Sequence, residues 1–206
     1  MDLSILLIFI PTFFLVSITP GMCMTLAMTL GMTIGPRRTL WMMLGEVVGV
    51  GIVAILAVLG VAAIMLRFPD IFVMLKWGGG IYLAYLGVQM WRSKGKMAIP
   101  DSNSAPAQAD RSQLVIQGFV TAIANPKGWA FMISLLPPFI QPNHSFILQL
   151  SLLVGIIVLS EFLCMTIYAT GGKTLRIFLK KSGNVRLLNK ISGTLMLGVG
   201  IWLIRS

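Results

Sequence analysis

Leu114 to Ile140 reads LVIQGFVTAIANPKGWAFMISLLPPFI, and the tripeptide Asn125-Pro126-Lys127 at its centre decides the fold. The stretch is 27 residues long and otherwise mostly apolar. Proline removes a backbone donor and clashes with the preceding turn of a helix. In hydrocarbon the carbonyl it frees still needs a partner. A lysine at that depth is expensive unless it is paired or reaches water. One reading is a short loop between two buried helices of a soluble protein. The reading the residues favour is an interrupted membrane helix that lines a polar cavity.

Composition points the same way. Of 206 residues, 57% are hydrophobic and 11% charged, and the mean hydropathy is +0.91. A soluble globular chain carries about 25% charged residues. A bilayer-spanning helix needs about 20 mostly apolar residues, so there is room for about six spans and none for a separate soluble domain. The net charge of +10 would suggest nucleic acid in a soluble protein. Here the basic residues cluster between apolar runs. The expected partner is therefore anionic lipid at the cytoplasmic face, not nucleic acid. Met1-Asp2-Leu3 offers no positively charged leader, so the first apolar run is expected to be retained. Cys23 and Cys164 define no disulfide framework. His144, the single histidine, makes no metal site alone and reads as a loop residue. No metal or cofactor is expected. Ser, His and Asp assemble into no catalytic motif, so an enzyme is not expected.

Six apolar runs follow in order. The first, Leu3 to about Ile34, is divided by Thr19-Pro20-Gly21, where proline and glycine predict a break or kink. Gly35-Pro36-Arg37-Arg38 reads as a turn. The second, Leu40 to about Leu66, holds Glu46, with Gly45, Gly49 and Gly60 as points of close helix approach. The third is Ile71 to Trp91, in which Gly78-Gly79-Gly80 permits another such approach. Arg92 to Gln113 has too little apolar area to fold and reads as a flexible cytoplasmic linker. The fourth run is Leu114 to Ile140, followed by a tight turn, Gln141-Pro142-Asn143-His144. The fifth, Ser145 to about Thr170, holds Glu161. Gly171 to Arg186 is a basic connection, and Leu187 to Ile204 is the last run. A buried glutamate is rarely lipid-facing. Each could serve helix packing through a hydrogen bond, or carry a proton.

Charge predicts the orientation. Connections 1–2, 3–4 and 5–6 carry 12 basic residues and the opposite side three, Arg67, Lys76 and Arg205. Positive charge stays cytoplasmic. Both termini are then periplasmic or extracellular, and the Arg92–Gln113 linker is cytoplasmic.

The two halves resemble each other. Leu75 to Ser93 matches Leu188 to Ser206 at a constant shift of 113, pairing Gly80 with Gly193 and Gly87 with Gly200. Glu46 and Glu161 are related by a shift of 115, Pro20 and Pro126 by 106. Repeated features in one order argue for two units. Three helices per unit is odd, so the second unit must be inverted, as in many secondary transporters. The expected fold is an all-α integral membrane protein. It has six transmembrane helices as two inverted three-helix repeats, with broken first and fourth helices. The units are 1–91 and 114–206, joined by the linker 92–113. Inversion brings both breaks to the bilayer midplane, where helix ends can hold a carboxylate or an ammonium. Pro20, Gly21, Asn125, Pro126 and Lys127 are the candidate substrate-binding or gating residues, and Glu46 and Glu161 the candidate proton carriers. A zwitterionic amino acid asks for that mixture of groups.

The same motifs carry a resemblance over essentially the whole chain. They are Pro20-Gly21-Met22; Leu75-Lys76-Trp77-Gly78-Gly79 with Tyr82-Leu83 and Tyr85-Leu86-Gly87; Gly118-Phe119, Asn125-Pro126-Lys127, Phe131 and Pro137-Pro138-Phe139; and Ile191-Ser192-Gly193 with Gly198. The chain resembles the LysE/RhtB family of bacterial amino-acid exporters. Two departures stand out. Met22 replaces the second proline of the family's Pro-Gly-Pro, and Val50 stands where many relatives have aspartate. Glu46 is one helical turn earlier and on the same face. The resemblance implies export of a small amino acid or derivative across the inner membrane, driven by proton antiport. A homodimer is compatible with it. The alternatives are a divalent-metal or other inorganic-ion transporter, for which two glutamates make a thin cage, and a membrane thiol-redox protein, for which no Cys-x-x-Cys exists.

The orientation is testable by thiol labelling. In a background lacking Cys23 and Cys164, an impermeant reagent on intact cells should label Asp2→Cys and Arg205→Cys but not Asn103→Cys. Labelling only at Asn103→Cys would reverse the orientation.

Overall fold

The computed structural model describes residues 3–67, 69–92, 110–136, 139–141, 144–180 and 182–205. Within them the chain is helical: α1 Leu3–Ser17, α2 Met22–Thr33, α3 Pro36–Arg67, α4 Pro69–Arg92, α5 Arg111–Ile123, α6 Pro126–Leu135, α7 Phe146–Lys180 and α8 Ser182–Arg205. The linker core with Lys94, Lys96 and Pro100–Pro106, together with Pro137-Pro138 and Pro142-Asn143, lies outside the described residues.

Both expected interruptions are present. α1 and α2 meet at an angle of 57°, and α5 gives way to α6 at Ala124-Asn125. Among the described residues, Pro36–Gly60 and Phe146–Gly172 are long and apolar enough to cross a bilayer alone, and the bent α1–α2 pair is long and apolar enough when taken together. The protein is an α-helical, multi-pass membrane protein. Its lipid-side surface is strongly apolar: Met74, Ile147 and Leu148 are more than 70% exposed.

Three boundaries differ from expectation. α3 starts at Pro36, so Pro36-Arg37-Arg38, expected in a turn, are its first residues. α5 starts at Arg111, inside the stretch expected to be linker, because Asp110 caps it. The Asp110 carboxylate accepts from the Arg111 N–H, while the Gln113 side chain accepts from the Asp110 N–H. This reciprocal box stabilises a helix start. The same Arg111 N–H, with help from the Ser112 hydroxyl, holds the Asp110 carboxyl below its usual range. The basic stretch from Gly171 is not an open connection either. α7 runs through it to Lys180, breaking direction at Gly172, whose φ of +39° lies in the left-handed region that glycine tolerates. The turn before α7 is held by buried Gln149, whose amide donates to Gln141 O at 2.9 Å and to His144 O at 3.2 Å.

Close backbone approach builds the bundle. Lipid offers no hydrophobic force between helices, so association relies on packing of small residues. Gly118 of α5 lies on Met42 O and near the Glu46 N–H, and Gly45 of α3 lies on Val115 O. A Cβ at either position would overlap the facing carbonyl. Gly49 faces Phe119 and Ala122, so α3 and α5 run in the same direction. In the α4–α8 pair, a Cβ on Gly87 would be 2.7 Å from Gly193 O and one on Gly80 would be 2.9 Å from Gly200 O. Rising numbers on one helix meet falling numbers on the other, so α4 and α8 are antiparallel. Gly60, expected as a third contact of α3, has nothing within 4 Å. Gly78 is likewise open.

Two buried clusters flank the breaks. One is aromatic, with Phe9 and Phe139 rings 5.0 Å apart and Phe13 and Phe131 rings 6.2 Å apart. The other is rich in methionine: Met24, Met28, Met42, Met43 and Met165. Arg111 sits 5.3 Å over Trp41, and Lys190 sits 5.0 Å over Trp91. All four residues adjoin the connections expected to be cytoplasmic.

The glycine contacts set a direct test. Gly118→Ala forces a methyl group into Met42 O, and overpacking of this kind costs about 1–3 kcal/mol. Gly60→Ala should cost nothing and gain slightly in helix propensity. Thermal unfolding of the two purified variants in detergent distinguishes them.

Candidate functional site

The two interruptions converge on one cavity of about 70 Å³. The α1–α2 break contributes Ser17, Thr19, Gly21, Met22 and Cys23; the α5–α6 break contributes Asn125 and Gly128. α3 supplies Glu46 and α7 supplies Glu161. The aromatic cluster closes one side through Phe13, Phe131 and Met132.

The first break is held from outside itself. The Tyr168 hydroxyl of α7 donates to Ile18 O at 2.9 Å. Leu15 O accepts from Thr19 Oγ1 at 2.8 Å and from Ser192 Oγ of α8 at 3.2 Å. The Thr19 and Ser192 hydroxyls are themselves hydrogen-bonded. On the far side of the break, Gly21 is the extended N-cap of α2 and has no side chain to cap it. The start of α2, with its free N–H groups and partial positive charge, lines the cavity.

The second break is held locally. Trp129 Nε1 donates to Ile123 O at 2.8 Å. Pro126 occupies the first turn of α6, where a missing N–H costs nothing. Asn125 is the N-cap residue, but its side chain does not cap α6. Its amide turns to the opposite break and donates to Cys23 Sγ at 3.8 Å. Lys127 lies in the same first turn, and its side chain is outside what the structure describes.

The two glutamates differ. Glu161 Oε1 accepts from the Ser17 hydroxyl at 2.8 Å, which ties α7 to the end of α1. Glu46 is fully buried, and among the described residues no N–H or O–H group donates to either of its carboxyl oxygens. The Cys23 thiol lies beside it. Gly118 presses α5 against α3 at that turn, which keeps water out from behind.

Of the candidate residues, the fold brings Gly21, Asn125, Glu46 and Glu161 to one cavity, with Pro20 and Pro126 shaping its two breaks. Sequence reading missed Ser17, Thr19, Tyr168 and Ser192. Ser17 and Thr19 carried a signal, as hydroxyls just ahead of Pro20 in an apolar run. Tyr168 carried none. Cys23, from which the sequence offered only the lack of a disulfide framework, is a lining residue. Cys164 is buried in the methionine-rich cluster. Among the described residues no group of three or more His, Cys, Asp or Glu could hold a metal ion.

A helical membrane protein whose helix breaks meet at a cavity carrying two carboxylates has the architecture of a small-solute transporter. The LysE type translocator family model matches residues 14–206, and the chain belongs to that family. It is therefore a transport protein and not an enzyme. It is 30% identical over 186 residues to the homoserine/homoserine lactone efflux protein of Salmonella typhi, covering 90% of this chain and 89% of that one. An uncharacterized membrane protein of Vibrio cholerae is 25% identical over 203 residues, 98% of each chain. The threonine efflux protein of Escherichia coli K12 is 32% identical over 104 residues, 48% of this chain and 49% of that protein. No solved structure matches.

Tyr168 and Ser192 give the site's own test. Tyr168→Phe leaves Ile18 O buried without its donor and should cost about 1–3 kcal/mol. Ser192→Ala should cost less, because Thr19 still serves Leu15 O. Thermal unfolding in detergent orders the two.

Proposed function

We propose that this protein is a six-span secondary transporter that exports a small amino acid or derivative across the inner membrane in exchange for protons. The observation that carries the reading is the meeting of two helix breaks and two carboxylates at one cavity. The uncapped start of α2, the Asn125 amide and the Lys127 ammonium are suited to a substrate carboxylate. Glu46 and Glu161 are suited to an ammonium or a proton. A cavity of about 70 Å³ favours a small substrate. The efflux proteins among the relatives act, by name, on homoserine, its lactone and threonine.

The α4–α8 contact supports the inverted repeat. The shift of 113 turns the pair Gly80–Gly200 into Gly193–Gly87, which is the neighbouring contact of the same interface. An antiparallel contact that maps onto itself in this way is what a twofold axis in the membrane plane produces. Each unit then contributes one break and one glutamate, with both termini outside and the linker cytoplasmic.

Two measurements test the function. Cells making the protein should resist a subset of toxic amino-acid analogues, and loaded vesicles should release the corresponding amino acid. Flux of an inorganic cation with no amino-acid flux would refute the reading. Replacing both acids, Glu46→Gln with Glu161→Gln, should abolish pH-driven uphill transport. Undiminished uphill transport would exclude both as proton carriers.

A further inference from the structure

We infer that the Glu46 carboxyl is a single site occupied in turn by a proton and by the substrate's ammonium group. The exported compound is then recognised by a protonated primary amine and needs no free carboxylate. This rests on the export reading above and divides the labour between the two glutamates.

The argument starts from what surrounds Glu46. It is fully buried and lines the cavity, and among the described residues no N–H or O–H group donates to its oxygens, the weakly donating Cys23 thiol alone lying beside it. A bare carboxylate in that state carries an uncompensated desolvation cost. A proton removes the charge. An ammonium, with three donors, removes it equally well by pairing. The two cannot occupy the group together.

The neighbours favour a cation. From α2 comes Cys23, a weak donor, and from α7 comes Glu161, a second carboxyl. From α5 and α6 the described lining residues are Ala122, Asn125, Gly128, Phe131 and Met132, none titratable. α4 brings Leu86 and Met90 to the adjoining core. Glu161 already accepts the Ser17 hydroxyl that joins α1 to α7, which makes it a positioning residue.

The exchange balances. Protonated Glu46 and R–NH3⁺ give the Glu46 carboxylate paired with R–NH3⁺, and one proton leaves to water. On the other side of the membrane a proton displaces the amine. One proton therefore enters for each amine exported. With a zwitterionic substrate one positive charge moves inward per cycle. With a cationic amine that lacks the carboxylate no net charge moves.

The test uses the full chain in proteoliposomes with three probes: L-homoserine, L-homoserine lactone and N-acetyl-L-homoserine. The first two should each exchange for one proton. Homoserine flux should respond to an imposed membrane potential, and lactone flux should not. The N-acetyl compound, which has a carboxylate but no ammonium, should neither move nor compete. E46Q should lose substrate-driven proton release at least tenfold, E46D should recover it, and E161Q should keep the one-to-one ratio even where its rate falls. Alkylation of Cys23 in the parent protein gives a readout independent of folding in the variants. Homoserine and its lactone should slow it, and the N-acetyl compound should not. Protection or transport by the N-acetyl compound equal to that of homoserine, no protection or transport by the lactone, or proton exchange surviving in E46Q would overturn this inference and leave the export reading standing. If none of the three probes moves and an inorganic cation does, the export reading falls and this inference with it.

Discussion

Every backbone polar group placed in hydrocarbon needs a partner inside the protein, and that constraint organises this structure. An uninterrupted helix meets it alone. Two interruptions release carbonyls that water cannot reach, at several kcal/mol each if left bare. The chain answers in two ways. At the first break the partners are Tyr168, Thr19 and Ser192, so a change in the angle between α1 and α2 must be felt by α7 and α8. At the second break the partner is Trp129, six residues from the carbonyl it serves, so α5 and α6 carry their own fastening. The two breaks are thus secured differently.

Glycine is the second organising element. Gly45, Gly49 and Gly118 let α3 and α5 touch backbone to backbone, and Gly80, Gly87, Gly193 and Gly200 do the same for α4 and α8. The closeness of α3 and α5 has a chemical result, since backbone covers Glu46 on the α5 side while the residue lines the cavity. Packing on one face thereby sets the electrostatics on the other. Phe13, Phe131 and Met132 form an apolar wall of the cavity, where reduced solvation strengthens charge pairing.

Much was legible in the sequence because the bilayer makes its demands local. Length and hydropathy of the runs identify membrane helices, and a Pro-Gly or Asn-Pro in the middle of one identifies a break whatever its neighbours are. Glu46 and Glu161 were conspicuous for the same reason, as acids in apolar surroundings. Periodicity and charge served less well at the ends of helices. The Asp110–Gln113 box started α5 inside a polar stretch, and α7 continued through lysines and glycines that read as a loop.

The sequence by itself determined that this is a helical membrane protein with two helix breaks and two acids in apolar surroundings. Each of those follows from the transfer cost of individual residues into hydrocarbon. Only the tertiary structure decided which groups meet. Residues 17, 46, 125 and 161 are separated by up to 144 positions, and no local preference brings Ser17 to Glu161 or turns the Asn125 amide toward Cys23. Tyr168 looks like any other aromatic residue on a membrane helix until its hydroxyl is seen on the carbonyl of Ile18. The difference between the two glutamates, one accepting from a hydroxyl and one buried beside a thiol alone among the described residues, likewise depends on how closely α5 lies on α3. That distance is set by backbone contact across glycines, through packing between helices far apart in the chain.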